Sequence, residues 1–80
     1  MSMDWRDHIH SDPEVMGGKP VIRGTRITVE LVLEYFEDGA TVQDILAAYD
    51  YLTPEDVRAA IAFARDVLVD AEESASRKAA

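Results

Sequence analysis

The residues best equipped for chemistry are concentrated in GGKPVIRGTRIT, residues 17–28, which holds three of the four glycines and three of the eight cations, Lys19, Arg23 and Arg26. The remaining chain carries five cations against all sixteen carboxylates, so this stretch is a basic island in an acidic protein. Three kinds of chemistry suit it: a phosphate cradle, a grip on nucleic acid, or a strand whose arginines counter the protein's own carboxylates. The first fails on pattern. A Walker loop needs G-x-x-x-x-G-K-[ST] between strand and helix, whereas Lys19 is followed by Pro20 and a strand-like run; Gly17, Gly18 and Gly24 do not match G-x-G-x-x-G either. Side chains on an extended strand alternate with period two, so Lys19 and Arg23 share one side there. Arg26 takes the other side unless Gly24 forms a bulge that re-aims it. A β-ribbon meeting DNA phosphates and a set of internal ion pairs both remain open.

Other candidate chemistry is sparse. His8 and His10 point the same way on a strand, with Asp12 nearby, but a metal site takes three or four ligands at defined spacing. No metal and no cofactor is expected. Ser2, Ser11, Ser74 and Ser76 lie in turn or tail contexts with no base placed beside them, and the many carboxylates read as a solvated surface. No catalytic residue is assigned, and an enzyme is not expected.

The elements that must position the basic island follow from periodicity. Residues 8–27 read as a two-stranded β unit, with Ile9 in one strand and Val21, Ile22 and Ile27 in the other. Pro20 suits a strand start because it has no amide donor, and Gly18, Pro20, Gly24 and Thr25 are the structural turn residues. Three helices follow. Thr28 caps the first, about 28–38, whose apolar positions Val29, Val32, Leu33 and Phe36 fall on one face. Gly39 stops it. Thr41 and Asp44 form a capping box for the second, about 41–49. Thr53, Pro54 and Asp56 open the third, 53–70, with Val57, Ala60, Ile61, Ala64 and Leu68 on a stripe. Residues 1–7 read as a flexible arm and 71–80 as a tail. The fold class is α+β, mainly α: a small N-terminal β unit and a three-helix, helix-turn-helix-like domain.

In a helix-turn-helix the helix beginning at Pro54 would read bases, with Arg58 as its cation. Glu55 and Asp56 beside it would repel phosphates. Phe63 and Val67 broaden the apolar stripe towards a second face, which points either to ordinary core packing or to a partner surface made by Phe63, Val67 and Leu68.

Eighty residues make one domain, which buries only a modest share of its chain surface. With no cysteine there is no disulfide or thiolate metal staple, so a homodimer or permanent partner is expected. The formal charge of −8 argues against general polyanion binding and permits a basic protein partner. No apolar run nears a membrane span, and the start MSMDWRDHIH lacks a signal-peptide layout. A cytoplasmic location without membrane contact is expected.

The segments DPEVMGGKPVIRGTRITV, DGAT and YDYLTPEDVRAAIAFA together resemble the bacterial family catalogued as domain of unknown function 433, over residues 11–64. The resemblance implies a helix-turn-helix-like domain often encoded beside small nucleases of the PIN type. It therefore implies an antitoxin-like role: an acidic protein that masks a basic nuclease and can bind its own operator DNA. Gly18, Lys19, Pro20, Arg23, Gly24, Thr25 and Arg26 fall in the matching core. Many antitoxins bind their toxin with a long tail, whereas here only about residues 70–80 are left over. The alternatives are a DNA-binding regulator without a toxin partner and a structural dimerisation module.

Overall fold

Residues 8–28 divide into short strands because turn formers interrupt the apolar run. In the computed structural model, which describes residues 3–79 and the side chains of 3–76, strand β1 (Ile9–His10) pairs antiparallel with β2 (Val21–Ile22). Ile9 lies opposite Ile22 and His10 opposite Val21. Asp12 begins the connection: its carbonyl accepts from the Val15 amide and its side chain from the Glu14 amide, both at 2.9 Å. A single 3₁₀ turn, Met16–Gly18, then leads into Lys19 and Pro20.

The expected strand from Pro20 to Ile27 is instead a tight reversal. The Thr25 amide donates to the Ile22 carbonyl at 3.0 Å, which makes Gly24 the third residue of a β-turn. Its φ of +76° is the conformation such a turn demands there and an L side chain resists. Thr25 locks the reversal, its hydroxyl donating to the Ile22 carbonyl at 2.7 Å and accepting from the Ile27 amide at 3.0 Å. The chain returns along β2, with the Ile22 amide bonded to the Ile27 carbonyl at 2.9 Å and Val21 bridged to Thr28. The alternating-side argument for Lys19, Arg23 and Arg26 therefore does not apply.

Thr28 ends this hairpin and starts α1 (Val29–Glu37), its hydroxyl accepting from the Leu31 amide at 3.0 Å. Gly39, at φ +90°, stops that helix. Thr41 and Asp44 make reciprocal bonds of 3.2 and 2.8 Å at the start of α2 (Val42–Ala48). Thr53 and Asp56 do the same at 3.1 and 3.0 Å for α3 (Pro54–Ala79). Each box satisfies amides that the first helical turn leaves unpaired. The architecture is α+β and mainly α, a two-stranded antiparallel sheet followed by three helices.

One core joins all five elements. Ile9, Ile22, Ile27, Val29, Val32, Ile45, Leu52 and Val57 are buried together, and Ala59 and Ala60 let α3 approach closely. Each such aliphatic side chain contributes about 1.5–3 kcal/mol on leaving water.

Both ends depart from the expected boundaries. α3 runs to Ala79, past the expected end near residue 70, because DAEESASRKA contains neither glycine nor proline and is rich in good helix formers. Residue 80 lies outside the described residues. The expected N-terminal arm contains a 3₁₀ turn, Trp5–Asp7, that docks on α3: Trp5 meets Phe63 edge-on with ring centroids 4.8 Å apart. Residues 1 and 2 lie outside the described residues. No helix among the described residues is long and apolar enough to cross a membrane.

Candidate functional site: an acid-rimmed groove and an arginine turn

The expected site residues separate into three places. Lys19 is bound to Glu30 of α1, Nζ to Oε1 at 3.1 Å, and both side chains are largely exposed. Arg58 lies exposed in the second turn of α3. Arg23 turns back over the N-terminal segment. Its Nε and Nη2 donate to the Arg6 carbonyl at 3.4 and 3.1 Å, and its Nη1 to His10 Nδ1 at 3.2 Å. The expected pairing of Arg23 and Arg26 with the protein's own carboxylates is not found among the described residues: Arg23 binds a carbonyl and a histidine, and Arg26 makes no ion pair there.

The two histidines are similarly divided. His8 Nδ1 donates to Asp56 Oδ1 at 2.9 Å, tying the start of β1 to the cap of α3. Burial works to raise the Asp56 pKa, but hydrogen bonds from His8 and Thr53 outweigh it and hold the carboxyl below its ordinary value. His10 serves Arg23 instead. Among the described residues no cluster of three His, Asp or Glu side chains is placed to hold a metal.

The partner candidates on α3 converge with residues of α1. Phe63, Ala64 and Val67 form one wall of a groove of ≈ 350 Å³, with Leu33 and Val29 opposite and Pro20 at one end. Phe63 is half-buried, since Trp5 covers part of its ring, whereas Val67 and Leu33 are 52% and 39% exposed. Leu68 is 57% exposed and shares a side of α3 with Ile61, seven residues earlier and 43% exposed. These two residues form a second exposed apolar strip on α3, to one side of the groove wall.

Glu30 borders the groove, and Leu33 also lines an adjoining depression with Glu30, Glu34 and Glu37. All three glutamates are exposed. They recur on one side of α1 because residues three and four apart are neighbours on a helix. Sequence reasoning missed this rim and the part played by Leu33. The usable signal was the E-x-x-L-E-x-x-E spacing beside an apolar position at the edge of the core stripe. It also missed Trp5, whose indole reaches Asp66 at 2.6 Å.

The expected turn residues lie as follows. Gly18 (φ +86°) ends the 3₁₀ turn, Pro20 precedes β2 and its carbonyl accepts from the Val29 amide at 3.0 Å, and Gly24 and Thr25 make the reversal. Around that reversal His10, Val15, Gly24, Thr25 and Arg26 line a shallow cleft of ≈ 400 Å³.

Comparison with known proteins places this arrangement. A crystal structure of a DUF433 member protein from Anabaena variabilis superposes with a TM-score of 0.75 at 33% identity, over 86% of this chain and 68% of that one. The uncharacterized protein y4eO of Sinorhizobium fredii is 37% identical over 59 residues, 74% of this chain. The chain spans only 27% of the length of that relative. The family model described as "Protein of unknown function (DUF433)" matches residues 9–64, and the chain belongs to this family.

Proposed function

We propose that this chain is a non-catalytic, antitoxin-type protein that binds and neutralises a basic nuclease of the PIN type encoded beside it. The observation that supports this reading is the α1–α3 groove, an apolar floor with a border of carboxylates. An apolar depression rimmed by polar residues is a common form of protein-interaction surface. Leu33, Phe63 and Val67 offer a floor that an apolar side chain can fill, and Glu30, Glu34 and Glu37 favour a partner whose own rim is basic. Two copies of this chain meeting groove to groove would set those glutamates against each other. The groove thus suits a different protein. The exposed Ile61 and Leu68 on α3 offer a separate surface for pairing with a second copy of the chain, and the short C-terminal stretch lengthens that helix instead of forming a flexible toxin-binding tail.

The test is co-expression with the product of the adjacent gene. Co-purification and relief of growth arrest are expected, and both are lost in a Leu33→Asp, Val67→Asp double variant that still folds. Wild-type protein that neither co-purifies nor relieves arrest would overturn the reading.

A DNA-binding regulator is less favoured by the placement of its residues. Lys19 is engaged with Glu30, Arg58 follows Glu55 and Asp56 on α3, and only Arg23 and Arg26 share a turn.

A further inference from the structure

Arg23 lies within the β-turn and Arg26 directly follows it, and among the described residues neither lies within ion-pair distance of a carboxylate. We propose that the cleft at this turn is a binding site for a phosphate group carried by a small organic molecule or by the end of a nucleic-acid strand. The site is separate from the α1–α3 groove and does not depend on the role proposed for it.

Two donors line the cleft, Arg26 and His10, and Arg23 orders the second of them. The Arg23 guanidinium is bonded through Nε and Nη2 to the Arg6 carbonyl and through Nη1 to His10 Nδ1, so it fixes the imidazole before any ligand arrives. A guanidinium can only donate. His10 Nδ1 must therefore be the acceptor, and the neutral imidazole keeps its proton on Nε2, where it is a second donor. Arg26 lines the cleft and makes no hydrogen bond with another side chain among the described residues, leaving its fork for a ligand. No carboxylate lines the cleft, although the chain holds sixteen.

The shape agrees with the charge. At Gly24 an added Cβ would meet nothing within 4 Å, so the backbone at the turn is open to close approach. Val15 supplies an apolar wall for the organic part of the ligand. The planar Arg26 fork and the imidazole N–H of His10 together offer three donors, matched better to the three terminal oxygens of a phosphate monoester than to the two of a carboxylate. The net charge of −8 opposes long-range attraction of a polyanion, which favours one local phosphate over an extended backbone.

The test is NMR titration of the labelled full-length chain at constant ionic strength. The probes are inorganic phosphate, sodium acetate, adenosine monophosphate, and a short single strand with either a 5′-phosphate or a 5′-hydroxyl end. Saturable shifts confined to His10, Gly24, Thr25 and Arg26, the Arg26 side-chain N–H groups included, are expected with phosphate-bearing probes. Arg26→Ala should weaken that binding about tenfold or more, the cost of a lost charge-assisted bond. Because Arg26 bridges to no carboxylate, that variant keeps the fold even if Arg23→Ala does not. Tighter binding of the monophosphate or of the 5′-phosphorylated strand identifies the source. Acetate binding as tightly as phosphate, shifts that do not saturate, or binding unchanged in Arg26→Ala would overturn the proposal.

Discussion

The indole Nε1 of Trp5 donates to the Asp66 carboxylate at 2.6 Å across 61 positions of sequence. With the edge-on contact between Trp5 and Phe63, it fastens the N-terminal turn to the middle of α3, next to the groove wall. A half-buried indole with both contacts contributes about 1–3 kcal/mol. Trp5→Ala should lower stability by that amount in urea unfolding followed by circular dichroism. Trp5→Phe keeps the ring contact and should lose about 1 kcal/mol, the share of the hydrogen bond.

Asp56 serves two partners at once, accepting from the Thr53 amide at 3.0 Å and from His8 at 2.9 Å. Its folded-state pKa is depressed. The associated stability is therefore fully present above the unfolded carboxyl value of about 3.9 and is lost as pH falls through the lower folded value. Asp56→Asn removes the charge, so the gap in melting temperature between wild type and variant should be widest at neutral pH and close below that folded value. Asp56→Ala, which also removes the cap, should cost about 1–2 kcal/mol at pH 7, or roughly 5–15 °C. Thermal melts between pH 2 and 7 check both; a gap that widens on acidification would contradict the assignment.

Leu33 and Val67 face the groove while remaining substantially exposed. Substituting either with Asp should change folding stability by less than about 0.5 kcal/mol. The same change at the centre of an interface should weaken binding of the nuclease by about 2 kcal/mol or more. Comparing unfolding curves with partner titrations by calorimetry separates the two effects.

Gly39 ends α1 at φ +90° with open space around it. Any cost of Gly39→Ala is therefore backbone strain and not a clash. About 1 kcal/mol is expected. Gly39→Asn should cost less, because Asn tolerates the left-handed region better. Denaturant midpoints of the three proteins give the order.

The Lys19–Glu30 pair is exposed on both sides. Lys19→Ala should leave stability within about 0.5 kcal/mol of wild type at physiological salt. Urea unfolding at low and high salt measures it.

The helix starts were legible in the sequence because a cap is a local device. Thr28, Thr41 with Asp44, and Thr53 with Pro54 and Asp56 act within one turn of chain, so residue type and spacing suffice. The strand between Pro20 and Ile27 was less legible. Val-Ile and Arg-Ile flanking Gly24 are compatible with a bulged strand or a tight turn, and what decides is the return of Ile27 and Thr28 alongside β2.

By itself the sequence determined the acidic balance, the basic island, the α+β class and the apolar stripes of the helices. Those depend on composition and on contacts three or four residues apart. Only the tertiary structure decided that Lys19 turns to Glu30, that Arg23 orders itself on His10 and the Arg6 carbonyl, and that Leu33 meets Val67 across a groove. Each of these joins elements distant in sequence, and no local propensity encodes how two packed helices and a hairpin share out their side chains.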